Sequence, residues 1–477
     1  MAGGGDCAMH WRGECSLRIW WWTRERKTTK QCEMRAQWVT NGVQRPRRVG
    51  AAGLEPLLRI TLVSAALVAS FVAPPGAAAQ EHPEGQTEGV EFDEEMPNAP
   101  RVSAPVGDGG PTLEAKFGGY VETSFTWSFA EPDNGLIAYR GFDNRHATFS
   151  LENANLATHI SFDRVYLKLS LQWGRTPDTY YLAEPSDSSG TAFGVGASSA
   201  ATYRFIQEAY LGWNAPLLSG VAIEAGVFLS PVGIESIDVH SNWNWSRSNL
   251  FMGLPFYHLG LHVASALSEN VSAHVAVYNG WNNILDNNVE KSVAGWVGFT
   301  SEDLSAQVLY FGGVEREGGN WRNLFDAWAA VEASPWLKLA LHVDGGFEPY
   351  SGRDAGWWFG TAGYVRGTPT DWLALTLRQD VFLDRAPDDD PAARIFWATT
   401  PLMASTTITV QLIPLEYIAV FLEYRHDQTA TSADLGGPAP DQDTFFRGAI
   451  PQDPATGAWV PNSRTQDTIT LGVTAGL

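Results

Sequence analysis

Cysteine is nearly missing from this 477-residue chain. Cys7, Cys15 and Cys32 are the only three, and none follows residue 32. That excludes a disulfide framework and a thiolate metal site beyond the first few dozen residues. Uninterrupted apolar length is scarce: Ile60 to Ala73 gives 14 residues, about 21 Å as a helix, where a bilayer needs ~20 residues. Amphipathic helical periodicity is lacking after residue 80. No G-x-S-x-G, H-E-x-x-H or phosphate loop occurs, so the chain is expected not to be an enzyme and to carry no cofactor or metal. Basic charge is short as well. Lys and Arg number 32 against 53 Asp and Glu, net -21, which excludes nucleic acid as a partner because phosphate binding needs a basic face.

What is present is unevenly placed. Residues 1–49 hold ten Lys/Arg, four Asp/Glu and all the cysteines, without periodicity. They read as a mis-assigned start or a non-structural leader, with translation beginning at Met34 or at a later codon such as that of Val43 or Val49. Residues 50–79 read as a signal peptide. Arg45, Arg47, Arg48 and Arg59 supply positive charge, Ile60 to Ala73 the apolar run, and Ala77-Ala78-Ala79 before Gln80 a small-residue cleavage site. Residues 80–115 are rich in acid, Pro and Gly, and are expected to be a disordered periplasmic linker. The part after Ala79 carries 21 basic against 48 acidic residues, which favours cations over anions near it.

From Lys116 the pattern changes to strict alternation. Phe117, Val121, Phe125, Trp127 and Phe129 share one parity; Glu122, Ser124, Thr126 and Ser128 share the other. Val165–Trp173 and Val221–Ser230 repeat this period of two, the mark of a strand with one wet face. Thirteen further segments make sixteen: 147–157, 203–213, 257–267, 271–281, 292–300, 303–312, 323–333, 336–344, 356–367, 371–383, 402–413, 415–426 and 467–477. Short connections alternate with long polar ones at 130–146, 175–201, 231–256, 282–291, 313–322, 345–355, 384–401 and 427–466. This order predicts an all-β fold: a transmembrane antiparallel β-barrel of about 16 strands (14 or 18 as alternatives) over residues 116–477, with short periplasmic turns and long external loops, in a bacterial outer membrane. Trp173, Trp281 and Trp357 at the long-loop ends, and Trp213, Trp336, Trp372 and Tyr417 at the short-turn ends, are expected to form two aromatic girdles against lipid.

The polar parity then lines the interior. It holds Glu122, Lys168, Arg204, Glu208, Glu224, His258, His262, His274, Lys338, His342, Asp344, Arg366, Arg378, Asp380, Glu423 and Arg425. A Lys or Arg facing hydrocarbon costs about 2–4 kcal/mol at the midplane, whereas a water-filled bore tolerates it. Wall-to-wall ion pairing is the simpler role for these charges; polar filling of the bore is the simpler reading of the His258, His262, His274 group than a metal site. Asp286, Asp384 and Asp388 to Asp390 lack the spacing of a calcium loop and read as solvated acid. The loop 231–256 is the candidate pore constriction, with Glu235, Asp238, His240 and Arg247 beside Trp243 and Trp245. Opposed charges there would impose a transverse field on passing solutes. Packing of the two Trp rings on the inner wall is the simpler reading, with Arg247 held in the pore as the functional one. The loop 427–466 competes for the same role.

Three segments resemble the OmpL-like outer-membrane β-barrel porin family: 140–156 (RGFDNRHATFSLENANL), 226–261, which contains SNWNWSRSNLF, and 277–292 (VYNGWNNILDNNVEKS). With the strand pattern, the resemblance spans roughly 116–477. It implies a porin for passive diffusion of small polar solutes or ions, with outer-membrane lipid as surroundings and a homo-oligomer as a family habit. It supplies no catalytic residue. One departure is Leu477, where such barrels end in an aromatic ring. A sugar-specific channel and a non-conducting adhesin or anchor are the rival readings. Amino-terminal sequencing of the exported product is expected to begin at Gln80; a peptide from residues 1–30 in the precursor would overturn the late start.

Overall fold

The computed structural model describes residues 101–105, 112–182, 203–217, 220–286, 288–315, 319–350, 353–385, 400–431, 434, 446 and 461–476. The chain divides into two units at Val49/Gly50; the first holds no described residue, and the second holds the barrel. The expected leader, signal peptide, Asp388 to Asp390 and most of the loop 427–466 lie outside the described residues.

The strands in chain order are β1 (Arg101–Pro105), β2 (Thr112–Ser128), β3 (Thr148–Phe162), β4 (Val165–Trp173), β5 (Ile206–Ala215), β6 (Val221–Leu229), β7 (Tyr257–Ser268), β8 (Val271–Tyr278) and β9 (Ser292–Thr300). There follow β10 (Leu304–Val314), β11 (Trp321–Ser334), β12 (Leu337–Tyr350), β13 (Arg353–Thr370), β14 (Leu373–Arg385), β15 (Leu402–Leu415), β16 (Ile418–Ala430) and β17 (Thr465–Gly476). From β2 onward each pairs antiparallel with the next, and β17 closes on β2 from Thr468↔Ser128 to Gly476↔Tyr120. The result is a closed ring of sixteen strands, β2 to β17. Closure removes the unpaired edge that hydrocarbon would not tolerate. Among the described residues no helix is long and apolar enough to cross a membrane; the crossing elements are strands.

Parity sorts the two faces. On β16, Leu422 and Tyr424 are exposed, while Phe421, Glu423 and Arg425 are sealed on the inward side. Trp173, Trp357, Trp213, Trp372 and Tyr417 are exposed near strand ends, where an aromatic ring meets the polar boundary of a bilayer. Trp281 is not among them. It is buried, edge-on to Phe311 (5.6 Å) and Trp358 (6.3 Å), because the segment after β8 turns inward.

Three further expectations need correction. The polar loop placed at 345–355 is mostly strand: Phe347↔Trp357 and Glu348↔Gly356 continue the β12–β13 ladder. Gly345 and Gly346 do not break it, since alternation resumes in Phe347, Trp357 and Phe359 facing out and Trp358 facing in. The linker expected over 80–115 contains β1, which pairs with β2 from Arg101↔Lys116 to Pro105↔Thr112. That stretch of β2 runs beyond its pairing with β17, so its backbone needs another partner. Two short helices also occur, α1 (Arg175–Leu182) and α2 (Asn249–Met252).

Leu422→Arg, near the middle of β16, is expected to destabilise the barrel in lipid by about 2–4 kcal/mol, and Leu415→Arg at the short-turn end by about 0–1 kcal/mol. Urea unfolding from vesicles reads both. Equal costs would mean that the exposed rows do not face a bilayer.

Candidate functional site

The segment between β6 and β7 leaves the wall and crosses the barrel. Pro231, without an N–H, ends β6. The chain then makes a 3-10 turn at Val239–Ser241, bends through 242–246 and enters α2, where the Ser248 side chain caps the Phe251 amide. In the ring, β14 is the eighth strand from β6 and β15 the eighth from β7, so the strap's contacts on β14 and β15 lie diametrically across from its root.

The far wall grips it through carboxylates. Glu423 accepts the amides of Trp245 (2.7 Å) and Ser246 (2.9 Å), and Asp380 accepts both the amide (2.9 Å) and the Nδ2 (2.7 Å) of Asn249. On β2, Glu122 accepts the Val239 amide at 2.6 Å. Arginines interleave. Arg378 donates to Glu235 (2.9 Å), to the Arg247 carbonyl (3.2 Å) and to Thr407 (3.1 Å), and also pairs with Asp380 (3.3 Å). Arg425 donates to the Arg247 carbonyl at 2.5 Å and to Asp427 at 2.6 Å. The strap has little regular structure of its own, so these bonds satisfy a backbone that is otherwise buried without a ladder.

The Trp/Asn alternation now has a cause. Asn244 donates to Thr409 at 2.7 Å. Trp245 is 1% exposed, edge-on to Phe421 at 5.6 Å. It lies against Gly472 of β17, where an added Cβ would come within 2.1 Å of the indole; only glycine leaves that space. Trp243, half-buried, meets Tyr364 edge-on (6.2 Å), with the Arg366 guanidinium 6.0 Å from its ring. At the root, Gln307 donates to the Pro231 carbonyl (2.7 Å) and Asp326 accepts the Gly233 amide (3.3 Å). His240 is exposed and meets Tyr120 at 5.0 Å. Asp238 accepts from the Tyr120 hydroxyl and from Gln207 (2.9 Å).

Arg247 does not stand in an open bore. It is buried and donates to the carbonyls of Ser236, Trp245 and Ile237, with its guanidinium 4.9 Å from the Phe142 ring. Two more loops support the strap. Phe142, from the loop after β2, and Ile284, from the loop after β8, pack with Phe251, Phe256 and Tyr257. Arg140 pairs with Asp143 and reaches Asp427 at 3.7 Å. Burial pushes the Asp143 carboxyl up, but Arg140, Arg425 and Arg247 outweigh it and hold it below the usual carboxylate range.

The wetted lumen expected from parity is therefore largely sealed. Glu122, His258, Asp344, Arg378, Asp380, Glu423 and Arg425 face inward and are buried. His258 stacks on Tyr278 at 4.3 Å and bonds Gly280, and His342 pairs with Asp326 at 2.5 Å, directly opposite Asp344 in register. An apolar core of Leu250, Leu254, Leu309, Phe311, Leu324 and Phe382 occupies bore space that sixteen strands would otherwise leave to water. Lys168 and Glu208 pair at 3.8 Å; Glu224 pairs with His262 at 2.6 Å, and His262 with His274 at 3.0 Å. Lys338 pairs with Glu332 at the short-turn mouth. Arg204 is off the wall, before β5 begins, paired with Asp178 of α1. The cause is a bulge: Ser170 pairs with Glu208 but Leu171 with Ile206, which turns Gln207 inward and breaks the parity that placed Arg204. Sequence reasoning missed Gln207, Arg140, Asp143 and Phe142; the run RGFDN was the one available signal.

Charge-assisted bonds of this kind contribute about 1.5–3 kcal/mol each, and removing one member of a buried pair costs about 3–5 kcal/mol. Arg378→Met is expected to release the strap while the ladder persists, read as new protease cleavage within 231–256 with β-sheet circular dichroism retained. Arg247→Ser should act likewise by freeing three strap carbonyls; an unchanged cleavage pattern in both would contradict the anchoring.

The family model described as "Putative beta-barrel porin-2, OmpL-like" matches residues 114–452, more than half of the chain. No curated protein matches the sequence. Similar solved structures include the outer-membrane channel DcaP of Acinetobacter baumannii, at 11% identity and a TM-score of 0.48, over 76% of this chain and 97% of that one. OmpT of Vibrio cholerae aligns at 9% identity, TM-score 0.48, over 78% and 100%. An anion-selective porin from Comamonas acidovorans aligns at 9% identity, TM-score 0.48, over 76% and 100%.

Proposed function

The chain belongs to the OmpL-like β-barrel porin-2 family, and from that premise we propose that it is a passive outer-membrane channel for small polar solutes whose openings are set by the strap. The observation that carries the second half is the crossing itself. A segment rooted between β6 and β7 and anchored on β14, β15 and β16 divides a sixteen-strand bore. Inward side chains that keep partial exposure lie on both sides of it: Tyr166, Glu208 and Tyr210 on one, Gln307, Trp328 and Arg366 on the other. Space left beside the strap, with most of the bore filled, fits small polar solutes better than large ones.

The exposed apolar rows fit a lipid boundary. Export through a signal peptide cleaved after Ala79, long loops outside the cell and assembly of several copies belong to the same proposal. The sealed interior favours one rival, a closed barrel acting as an anchor, and conductance separates the two. The purified 80–477 product in a planar bilayer is expected to conduct potassium chloride in stable small steps. Replacing 234–252 with a short Gly/Ser linker is expected to raise the unit conductance severalfold. A silent wild type would leave the anchor reading; equal conductance in the two proteins would mean that the strap does not set the openings.

A further inference from the structure

One stretch of inner wall is not covered by the strap. Beside the strap's root, Leu229 and Pro231 border a cavity of about 190 Å³ set into β5 to β9. Its walls are aromatic: Tyr210 stacks on Phe228 at 4.9 Å, Phe228 meets His262 edge-on at 6.0 Å, and His262 lies flat on Trp296 at 4.9 Å. Gly226 sits opposite Tyr210 at φ 148°, and a Cβ there would lie 2.1 Å from the Ala209 carbonyl oxygen.

The formally charged groups of the lining are of one sign. Glu208 and Glu224 both line the cavity, and its lining contains no Lys, Arg, Asn or Gln. Glu224 is held in place by the Tyr166 hydroxyl and by His262, each at 2.6 Å. Glu208 lies 3.8 Å from Lys168, at the long limit of an ion pair.

We infer that this cavity is a subsite for a small organic cation, an ammonium or guanidinium group on a short carbon frame, met in transit through the channel. The inference rests on the porin reading above. Aromatic faces attract a cation through the ring quadrupole, the more so where water is partly excluded. A carboxylate at the edge adds a charge-assisted bond. A sugar would also stack on the rings and bond the Tyr210 and Tyr278 hydroxyls, but the two carboxylates add a charge attraction that only a cation gains. An anion would meet two carboxylates. The volume is below that of a drug-sized site, so it fits a head group, and binding that weak allows release on the far side.

The test is single-channel recording of the full exported chain in potassium chloride, with choline or glucose added to one side. Choline is expected to cause brief interruptions of current, and glucose none. Trp296→Leu and Glu208→Gln, on different strands, are each expected to shorten the choline interruptions about fivefold to tenfold, with barrel folding checked by circular dichroism. Interruptions by glucose alone would replace the cation site by a sugar site. No interruptions in a conducting wild type, or interruptions unaltered in both variants, would overturn the inference and leave the porin reading intact. Absence of any conducting step would overturn both.

Discussion

The interior of this barrel depends on buried carboxylates of the wall accepting backbone N–H groups of a segment that has no ladder of its own. Glu423, Asp380 and Glu122 each take strap amides at 2.6–2.9 Å. A peptide N–H buried without an acceptor costs free energy, and a carboxylate buried without donors costs more. Joined, each of these amides gains an acceptor and each carboxylate at least one donor, and Arg378 offsets the charge of Asp380 at 3.3 Å.

The barrel supplies the position and the strap supplies the shape. Because β6 and β14 are eight strands apart in a ring of sixteen, a loop rooted on one side that bonds the inner face of the other crosses the bore. Once there, its apolar residues do what core residues do in a soluble domain. Leu250 and Leu254 join Phe311, Leu324 and Phe382, and Trp245 uses the space Gly472 leaves. On the proposed channel reading, this crossing sets the width of the openings beside it. The cavity along β5 to β9 is one part of the wall that this arrangement leaves uncovered.

All sixteen barrel strands were legible in the sequence, because period-two alternation between lipid and interior is a local signal. So was the choice of 231–256 as the segment to watch. Its contacts were not legible. Asn244 and Thr409 are 165 residues apart, Trp245 and Glu423 178, and no periodicity reports a meeting at that separation. The inward charges were assigned to water for the same reason, since parity distinguishes inside from outside and says nothing of what fills the inside. Arg204 was misplaced by a single bulge at Gln207, which flips parity without leaving a compositional trace. Trp281 was taken for a girdle residue because its position at a strand end is shared by residues that face lipid and by residues that begin an inward loop.

The central claim is that the strap is held across the bore by those carboxylates. Amide hydrogen exchange on the reconstituted barrel, resolved to single residues, tests it directly. The amides of Val239, Trp245, Ser246 and Asn249 should exchange as slowly as those of the barrel strands, although none of them belongs to a ladder. Exchange at the rate of an exposed loop would contradict the account.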